Sequence, residues 1–347
     1  MTPRGTGMHW GAVAGGAVLA TVGGLAARYA TQQRQIERSW LTEAAPKLTA
    51  IGEVDQLSIT PLVERLVPAA HLRGEPGVSY LLRAGPTRLL FDAGLNRRGE
   101  ARSALVHNAE VLQLDLQGLD GVVISHLHAD HVGGLRTQFR RTFAFSAEAL
   151  EPRGLPAYVP TPMRHERADV VLTTGPRVIA QGVAVLPPLP AAMFWLGPVA
   201  EQALVVNVRG FGLVLVSGCG HPGIERMLAV TERVLEVPIR GVVGGLHLPV
   251  HPFGTPLVLQ ATLGNPNWPW RPISERDVAA AIQEITARGP RVVALSSHDS
   301  TPWTYAAFGR AFGDHYRTLE VGDELVISAG GVLWQPRLRQ ADGHLSA

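Results

Sequence analysis

The sequence SHLHADHVGG lies at positions 125–134 and directly follows a short apolar run, GVVI, at positions 121–124. It places three histidines and one aspartate within six residues. Burying so many ring nitrogens together is costly unless they share a partner. Imidazole nitrogens and carboxylate oxygens are donors that Zn²⁺, Mn²⁺ and Fe accept in proteins. The pattern therefore predicts a metal site in a turn after a β-strand, and Gly133 and Gly134 permit a tight backbone bend beneath it.

The spacing of these residues divides them between two ions. His126 and His128 alternate along an extended segment, so both imidazoles face the same side. Asp130 and His131 begin the turn and can reach a second ion. We therefore expect two divalent ions, with zinc as the expected metal and iron or manganese as alternatives.

The composition is that of a folded protein with an extensive core. Of 347 residues, 46% are hydrophobic and 17% are charged, which excludes an intrinsically disordered chain. A single cysteine, Cys219, excludes an intrachain disulfide and a cysteine-based zinc finger. The net charge is only +2, and no basic stripe or arginine cluster accompanies the metal motif, so we expect no nucleic-acid partner.

The body of the chain alternates short apolar runs with Gly and Pro, which predicts a layered α/β architecture. Helical periodicity appears at 222–237 and 274–288. The Pro- and Trp-rich stretch at 249–272 is predicted to be a lid or surface loop, or an insertion with no role in the chemistry. Seven β-branched runs predict strands: 78–82, 88–91, 121–124, 204–208, 212–216, 241–243 and 291–295.

The N-terminus differs from the rest because residues 10–27 carry no charge. This length is near the lower limit for a membrane span, so we predict a signal anchor, with a cleaved signal peptide or a surface helix as alternatives. The predicted organisation is a leader and spacer at 1–50, one domain at 51–336 and a disordered tail at 337–347. The expected location is membrane-anchored or exported, of the bacterial inner membrane or periplasm, with the cytoplasmic side and the oligomeric state left open.

The metal motif at 126–131 resembles the hallmark of the metallo-β-lactamase superfamily. The FDAG sequence at 91–94 resembles the element that precedes that hallmark. A further series resembles the branch of 7,8-dihydropterin-6-methyl-(ribofuranosyl)aminobenzene-phosphate synthase-like proteins, and the resemblance covers roughly residues 54–330. That series consists of EQAL at 201–204, SGCGHPGI at 217–224, GGLHL at 244–248 and SHD at 297–299.

The resemblance implies a four-layer αββα sandwich with the ions at one edge between two sheets. It implies His126, His128 and His221 as ligands of the first ion, and Asp130, His131 and His298 as ligands of the second. The superfamily usually has a bridging aspartate where this chain has Cys219. Cys219 is therefore a candidate ligand, with a small buried apolar residue as the alternative.

The implied activity is hydrolysis of a small-molecule ester, lactone or phosphodiester by metal-activated water. Asp130 would orient the nucleophile, and His247 would protonate the leaving group, although His247 could equally be a ligand, a substrate contact or a structural residue. Asp92 would orient a ligand histidine or cap its own turn. The alternatives are the pterin-related synthase reaction of the branch and a non-catalytic metal-binding scaffold. The sequence HDST at 298–301 departs from the branch pattern His-Cys-Thr-Gly, so branch substrates do not transfer.

Overall fold

The computed structural model describes residues 10–42 and 46–336, and the predicted tail at 337–347 lies outside them. The first sheet has eight strands in the order β17-β16-β1-β2-β3-β4-β5-β6. Strands β3 to β6 run parallel to one another, and the remaining pairs are antiparallel. Its strands are β1 Gln56–Val63, β2 Ser79–Ala84, β3 Thr87–Phe91, β4 Gly121–Val123, β5 Pro156–Val159, β6 Asp169–Leu172, β16 Asp323–Ser328 and β17 Gly331–Pro336.

The second sheet has seven strands in the order β15-β14-β13-β12-β11-β8-β7, of which β12 to β15 are parallel. A separate hairpin, β9 Leu189–Met193 and β10 Gly197–Glu201, follows β8. All seven predicted strands are present across the two sheets. The strands of the second sheet are β7 Arg177–Ala180, β8 Val183–Val185, β11 Leu204–Val208, β12 Gly212–Ser217, β13 Ile239–Gly244, β14 Val292–Leu295 and β15 Tyr316–Thr318.

Helices cover the outer face of each sheet. The predicted helices at 222–237 and 274–288 are α4 and α6, and α5 lies inside the stretch predicted to be a lid. The helices are α1 Trp10–Thr42, α2 Ala104–Val111, α3 Leu135–Arg140, α4 Ile224–Val234, α5 Thr255–Leu263, α6 Glu275–Thr286 and α7 Pro302–Phe312.

The alternation of side chains along the strands explains the layering. In β12, Val214 and Val216 pack between the two sheets, whereas Leu213 and Leu215 pack beneath α4, α6 and α7. A third cluster joins the outer face of the first sheet to α2. Because successive side chains of a strand point to opposite faces, a continuously apolar strand requires cover on both sides. The four-layer arrangement that the family resemblance implied follows from this cover.

Two sets of parallel strands bring the functional loops together. The carboxyl ends of parallel strands lie at one edge of a sheet. In the first sheet, Asp92 follows β3 and Ser125 follows β4; in the second sheet, residues 218–221, 245–247 and 296–299 follow β12, β13 and β14.

The second half of α1 packs on the domain. Tyr29 and Ile36 are buried against Ala192 and Phe194 of the β9–β10 hairpin, and the Tyr29 hydroxyl donates to the Pro266 carbonyl at 2.5 Å. Among the described residues, no helix has the length and apolar character that crossing a bilayer requires. The predicted transmembrane signal anchor is therefore not supported. The physical reason is that residues 10–27 are mostly Gly and Ala, with few large apolar side chains. The membrane-anchored or exported location stays a prediction.

Candidate metal centre

The first group of potential ligands consists of three imidazoles. One nitrogen of each of His126, His128 and His221 lies within 4.8 Å of the others. The His221 Nε2 and His128 Nδ1 atoms are 3.2 Å apart. Ligand nitrogens about 2.05 Å from a tetrahedral zinc ion would be about 3.4 Å apart, so this spacing is close to that of donors around one ion.

The second group combines a carboxylate, two imidazoles and a thiol. Donor atoms of Asp130, His131, Cys219 and His298 also lie within 4.8 Å of one another. The Cys219 Sγ atom is 3.1 Å from the His131 Nε2 atom and 3.2 Å from the His298 Nε2 atom. Cys219 is buried and lies between two potential ligands, as a metal-binding thiolate would.

A third group overlaps the second at Cys219 and adds His247 and Asp299. Asp299 accepts a hydrogen bond from the His247 backbone N–H through its Oδ2 atom at 2.8 Å. Burial raises the pKa of Asp299 well above its usual value and lowers the pKa of His247 to about 4. The sequence alone predicts no role for Asp299. Its position in the motif SHD was the available signal, because it directly follows a predicted ligand.

The tautomers of two potential ligands follow from their neighbours. The Ser125 hydroxyl donates to Asp92 Oδ2 at 2.6 Å and therefore accepts from His126 Nδ1 at 2.9 Å. The proton of the neutral ring is then on Nδ1, and the Nε2 atom of His126 carries the free lone pair. This buried atom has no hydrogen-bond partner among the described residues. In the same way, the Ser296 hydroxyl donates to Glu64 at 2.6 Å and accepts from His298 Nδ1 at 2.6 Å. Each ring thus presents its Nε2 lone pair to the cluster.

His131 is held by Asp92, whose Oδ2 atom accepts from the ring Nδ1 at 2.7 Å. Burial alone would lower the pKa of His131, but the carboxylates of Asp130 and Asp92 outweigh burial and raise that pKa to about 9. Metal binding requires a neutral imidazole, so an ion bound at Nε2 displaces a proton. Asp92 also accepts from the Ser125 backbone N–H at 2.6 Å, so one carboxylate orients both the metal loop and one of its histidines.

The residues present fit a resident metal. Unpaired ring nitrogens remain buried on His126, His221 and His247, and such atoms are costly unless they bind something. Burial, together with neighbouring imidazoles, lowers the pKa of His126 and of His221 well below the usual value. These rings are therefore neutral at pH 7, which is the form that binds divalent ions.

Two buried glutamates that the sequence analysis missed hold the ligand loops. Glu201 accepts the backbone N–H groups of Cys219, Gly220 and His221 at 2.8–3.0 Å, and burial raises its pKa to about 6. Glu64 accepts from the backbone N–H of Ser297 at 2.8 Å, and burial raises its pKa to about 7. Glu201 opens the EQAL motif, whereas Glu64 stands at the end of an apolar strand with no motif around it.

Glycines permit the close approach of the two sheet edges. A Cβ atom on Gly218 would lie 2.2 Å from the Ser125 hydroxyl, and one on Gly245 would lie 2.2 Å from the Gly218 carbonyl oxygen. Both distances are far below van der Waals contact. Only glycine therefore lets the loops after β12 and β13 close against the metal motif.

The centre is largely enclosed. His126, His131, His221 and His298 are buried, whereas the Asp130 side chain retains 21% exposure and His128 is partly exposed. The end of α5 adjoins His247, because a Cβ atom on Gly264 would lie 2.6 Å from its ring. The structure thus brings together all seven predicted ligands and His247. Access from solvent is at His128 and Asp130.

His165 lies between the two metal-motif segments of the sequence but outside the cluster of potential ligands. Its ring stacks on Phe143 with centroids 4.4 Å apart, and its Nδ1 atom accepts the backbone N–H groups of Arg167 and Ala168. No group of potential ligands in the described part of the chain includes it. The local turn and the ring stacking account for this histidine.

Residues 87–182 match the family model described as a β-lactamase superfamily domain. The chain is 23% identical over 242 residues to 7,8-dihydropterin-6-methyl-4-(β-D-ribofuranosyl)-aminobenzene-5′-phosphate synthase of Methanocaldococcus jannaschii, which covers 58% of this chain and 81% of that protein. A stretch of 80 residues is 36% identical to Ribonuclease TTHA0252 of Thermus thermophilus, and it covers 23% of this chain and 17% of the ribonuclease.

Among solved structures, the chain is similar to Tm1679, a metal-dependent hydrolase of the β-lactamase superfamily. The TM-score is 0.54 at 21% sequence identity, and the match covers 78% of this chain and 98% of Tm1679. At this identity the likeness shows a shared fold. The fold and the family match agree with the position of the metal motif at the edge between two sheets.

Proposed function

We propose that this chain, which belongs to the metallo-β-lactamase superfamily and has its fold, is a hydrolase with a dinuclear centre for an ester, lactone or phosphodiester. The observation that carries the proposal is the convergence of two groups of potential ligands on one enclosed site. A shared cationic partner is favoured, since buried ring nitrogens of His126 and His221 have no partner among the described residues.

The two ions would be held by the two groups. His126, His128 and His221 would hold the first, and Asp130, His131, Cys219 and His298 would hold the second. Zinc is the expected metal, because nitrogen, sulfur and carboxylate donors together suit it best. When bound, divalent ions of this kind activate water and stabilise negative charge that develops on a carbonyl or phosphoryl oxygen.

The chain's own residues supply the positioning and the proton transfers. Asp130 combines a place in the cluster with exposure to solvent, so its carboxylate can orient an incoming water toward the substrate. The buried rings around it exclude bulk water, which strengthens electrostatic interactions within the site. His247 adjoins the cluster, but burial lowers its pKa to about 4, so its ring is neutral at pH 7. It can give a proton to the leaving group only where bound substrate raises that pKa, and otherwise offers a ring N–H as a hydrogen-bond donor.

The proposal is tested with the purified protein and a substrate panel of esters, lactones and phosphodiesters. We expect turnover of at least one class, its loss after chelation, and its return on adding zinc, manganese or iron. Chelation should also lower the thermal unfolding midpoint, because an ion that binds only the folded state stabilises it. Turnover that survives complete metal removal would refute a metal-dependent hydrolase.

A substitution at His247 separates its possible roles. If His247 donates a proton, His247→Gln should lower kcat by about 100-fold or more while metal content and KM stay close to those of the wild type. If it is a ligand, the same variant should lose metal. Metal content by plasma mass spectrometry and steady-state kinetics distinguish the two, and unchanged kcat with unchanged metal content would leave His247 a structural residue.

A second candidate function rests on the similarity to the pterin-pathway synthase, which extends over 81% of that protein. Assay with a dihydropterin and an aminobenzene riboside phosphate tests this synthase reaction directly. Product formation there, with no turnover on the hydrolase panel, would favour the synthase. A fully metal-loaded protein inactive in both assays would favour the metal-binding scaffold.

A further inference from the structure

A cavity of about 1100 Å³ lies between α3 and three neighbouring loops. We name it the arginine groove, because six of its 22 lining residues are arginine, compared with 30 arginines among all 347 residues. This enrichment is about threefold. The six are Arg97, Arg98, Arg136, Arg140, Arg164 and Arg167.

Most of these guanidinium groups are unpaired. In the described structure, the side chains of Arg97, Arg136, Arg140 and Arg164 have no hydrogen bond or ion pair, whereas nearby Arg141 donates to the Pro162 carbonyl and the Thr161 hydroxyl. Unpaired cations that face one cavity repel each other, and their mutual repulsion is relieved by an anion.

The acidic residues of the groove do not neutralise it. Three glutamates line it, but Glu151 is buried and turned inward, since its Oε1 atom accepts the Phe145 backbone N–H at 2.6 Å. Glu148 and Glu166 are exposed. Because the lining has six arginines and three glutamates, it keeps an excess of positive charge.

Arg136 disfavours the helix that carries it, and Arg140 adds a like charge on the same helix. Arg136 lies in the first turn of α3, where the helix dipole is unfavourable to a cation. Arg140 follows one turn later, so the two like charges are neighbours on the helix surface. Local stability therefore does not account for Arg136, whereas Arg140, in the last turn of α3, is favourable to the helix dipole.

We propose that the arginine groove binds a small molecule that carries two or more phosphate groups, such as a nucleoside diphosphate. Guanidinium groups bind phosphate oxygens with paired, charge-assisted hydrogen bonds. The cavity volume is that of a small-molecule site. Exposed Glu148 and Glu166 interrupt the basic lining, which favours a compact ligand over a long polynucleotide.

The groove is separate from the metal centre. None of the described residues that line it is a proposed metal ligand, although Gly133 and Gly134 connect the metal loop to it. Binding there is therefore independent of the proposed hydrolase activity, and either proposal can fail alone.

The test is calorimetric binding of ADP and of inorganic pyrophosphate to the metal-loaded full chain. In the double variant Arg136→Ala/Arg140→Ala we expect both affinities to fall by about tenfold or more. The matched control, Arg276→Ala/Arg310→Ala, removes two exposed arginines from α6 and α7, and its affinities should be unchanged.

Three outcomes would overturn the proposal. Absence of binding to the wild type is the first. Equal binding to the wild type and the groove variant is the second, because it would place the ligand at the metal centre. The third is that a single-stranded oligoribonucleotide binds the wild type more tightly than ADP does, and that the groove variant binds this oligoribonucleotide less tightly. Thermal unfolding checks the fold, and the groove variant should melt no lower than wild type, since two repelling charges are gone.

Discussion

Replacing His128 by alanine is expected to remove about one of two bound metal ions and to lower turnover by about 1000-fold or more. The first group of ligands would then retain only two imidazoles, and the His221 ring would lose the ring nitrogen that lies 3.2 Å from it. His128 is the partly exposed member of that group, so the change leaves a smaller internal void than a change at His126.

The measurements are metal content by plasma mass spectrometry and turnover on whichever substrate the panel identifies. His251→Ala is the matched control, because His251 is an exposed histidine that contacts Glu275 at 3.0 Å, outside the cluster. The control should keep full metal and full activity. Unchanged turnover in His128→Ala would refute the proposed role of the first group.

Replacing Cys219 by alanine is expected to lower the affinity for the second metal ion by about 100-fold or more and to reduce turnover as that ion is lost. The Sγ atom lies within 3.2 Å of ring nitrogens of His131 and His298 and belongs to two of the three groups of potential ligands. Cys219→Asp supplies the carboxylate that the superfamily usually has there. It should therefore retain both ions and much of the activity.

A spectroscopic readout distinguishes a ligand from a buried apolar residue. The cobalt-loaded wild type should show a thiolate-to-cobalt charge-transfer band, and the band should be absent from cobalt-loaded Cys219→Asp and Cys219→Ala. If Cys219→Ala binds both ions as tightly as the wild type and the band is missing throughout, Cys219 only fills space.

The metal motif could be read from the sequence because its members are neighbours along the chain. Strand β4 ends at Val123, and residues 126–131 follow it directly, so local backbone geometry alone brings their side chains together. Short β-branched runs bounded by turn residues predicted the strands for the same reason, since strand propensity depends on residues that are neighbours along the chain. These features needed no knowledge of distant contacts.

Local reasoning could not show what the N-terminal segment packs against. The uncharged run at 10–27 predicted a membrane anchor, yet no described helix meets the requirement for a span. Farther along the same helix, Tyr29 and Ile36 are buried against the β9–β10 hairpin. Composition alone could not show that the helix docks on the domain.

Contacts between distant segments were decided by tertiary structure. Cys219 lies 88 residues from His131 along the chain, and Glu64 lies 233 residues from Ser297, yet each pair is in contact. The arginine groove has the same origin, because its arginines come from short segments spread between residues 97 and 167 and form no basic stripe in the sequence.

The sequence by itself determined the type of fold, the identity of the metal motif and the residue types that can bind divalent ions. Only the tertiary structure decided that Cys219 lies between two histidines, that Asp299 joins the cluster, and that Glu64 and Glu201 hold the ligand loops. The physical reason is that strand order and register set the distances between residues far apart in the chain, whereas sequence periodicity describes only near neighbours.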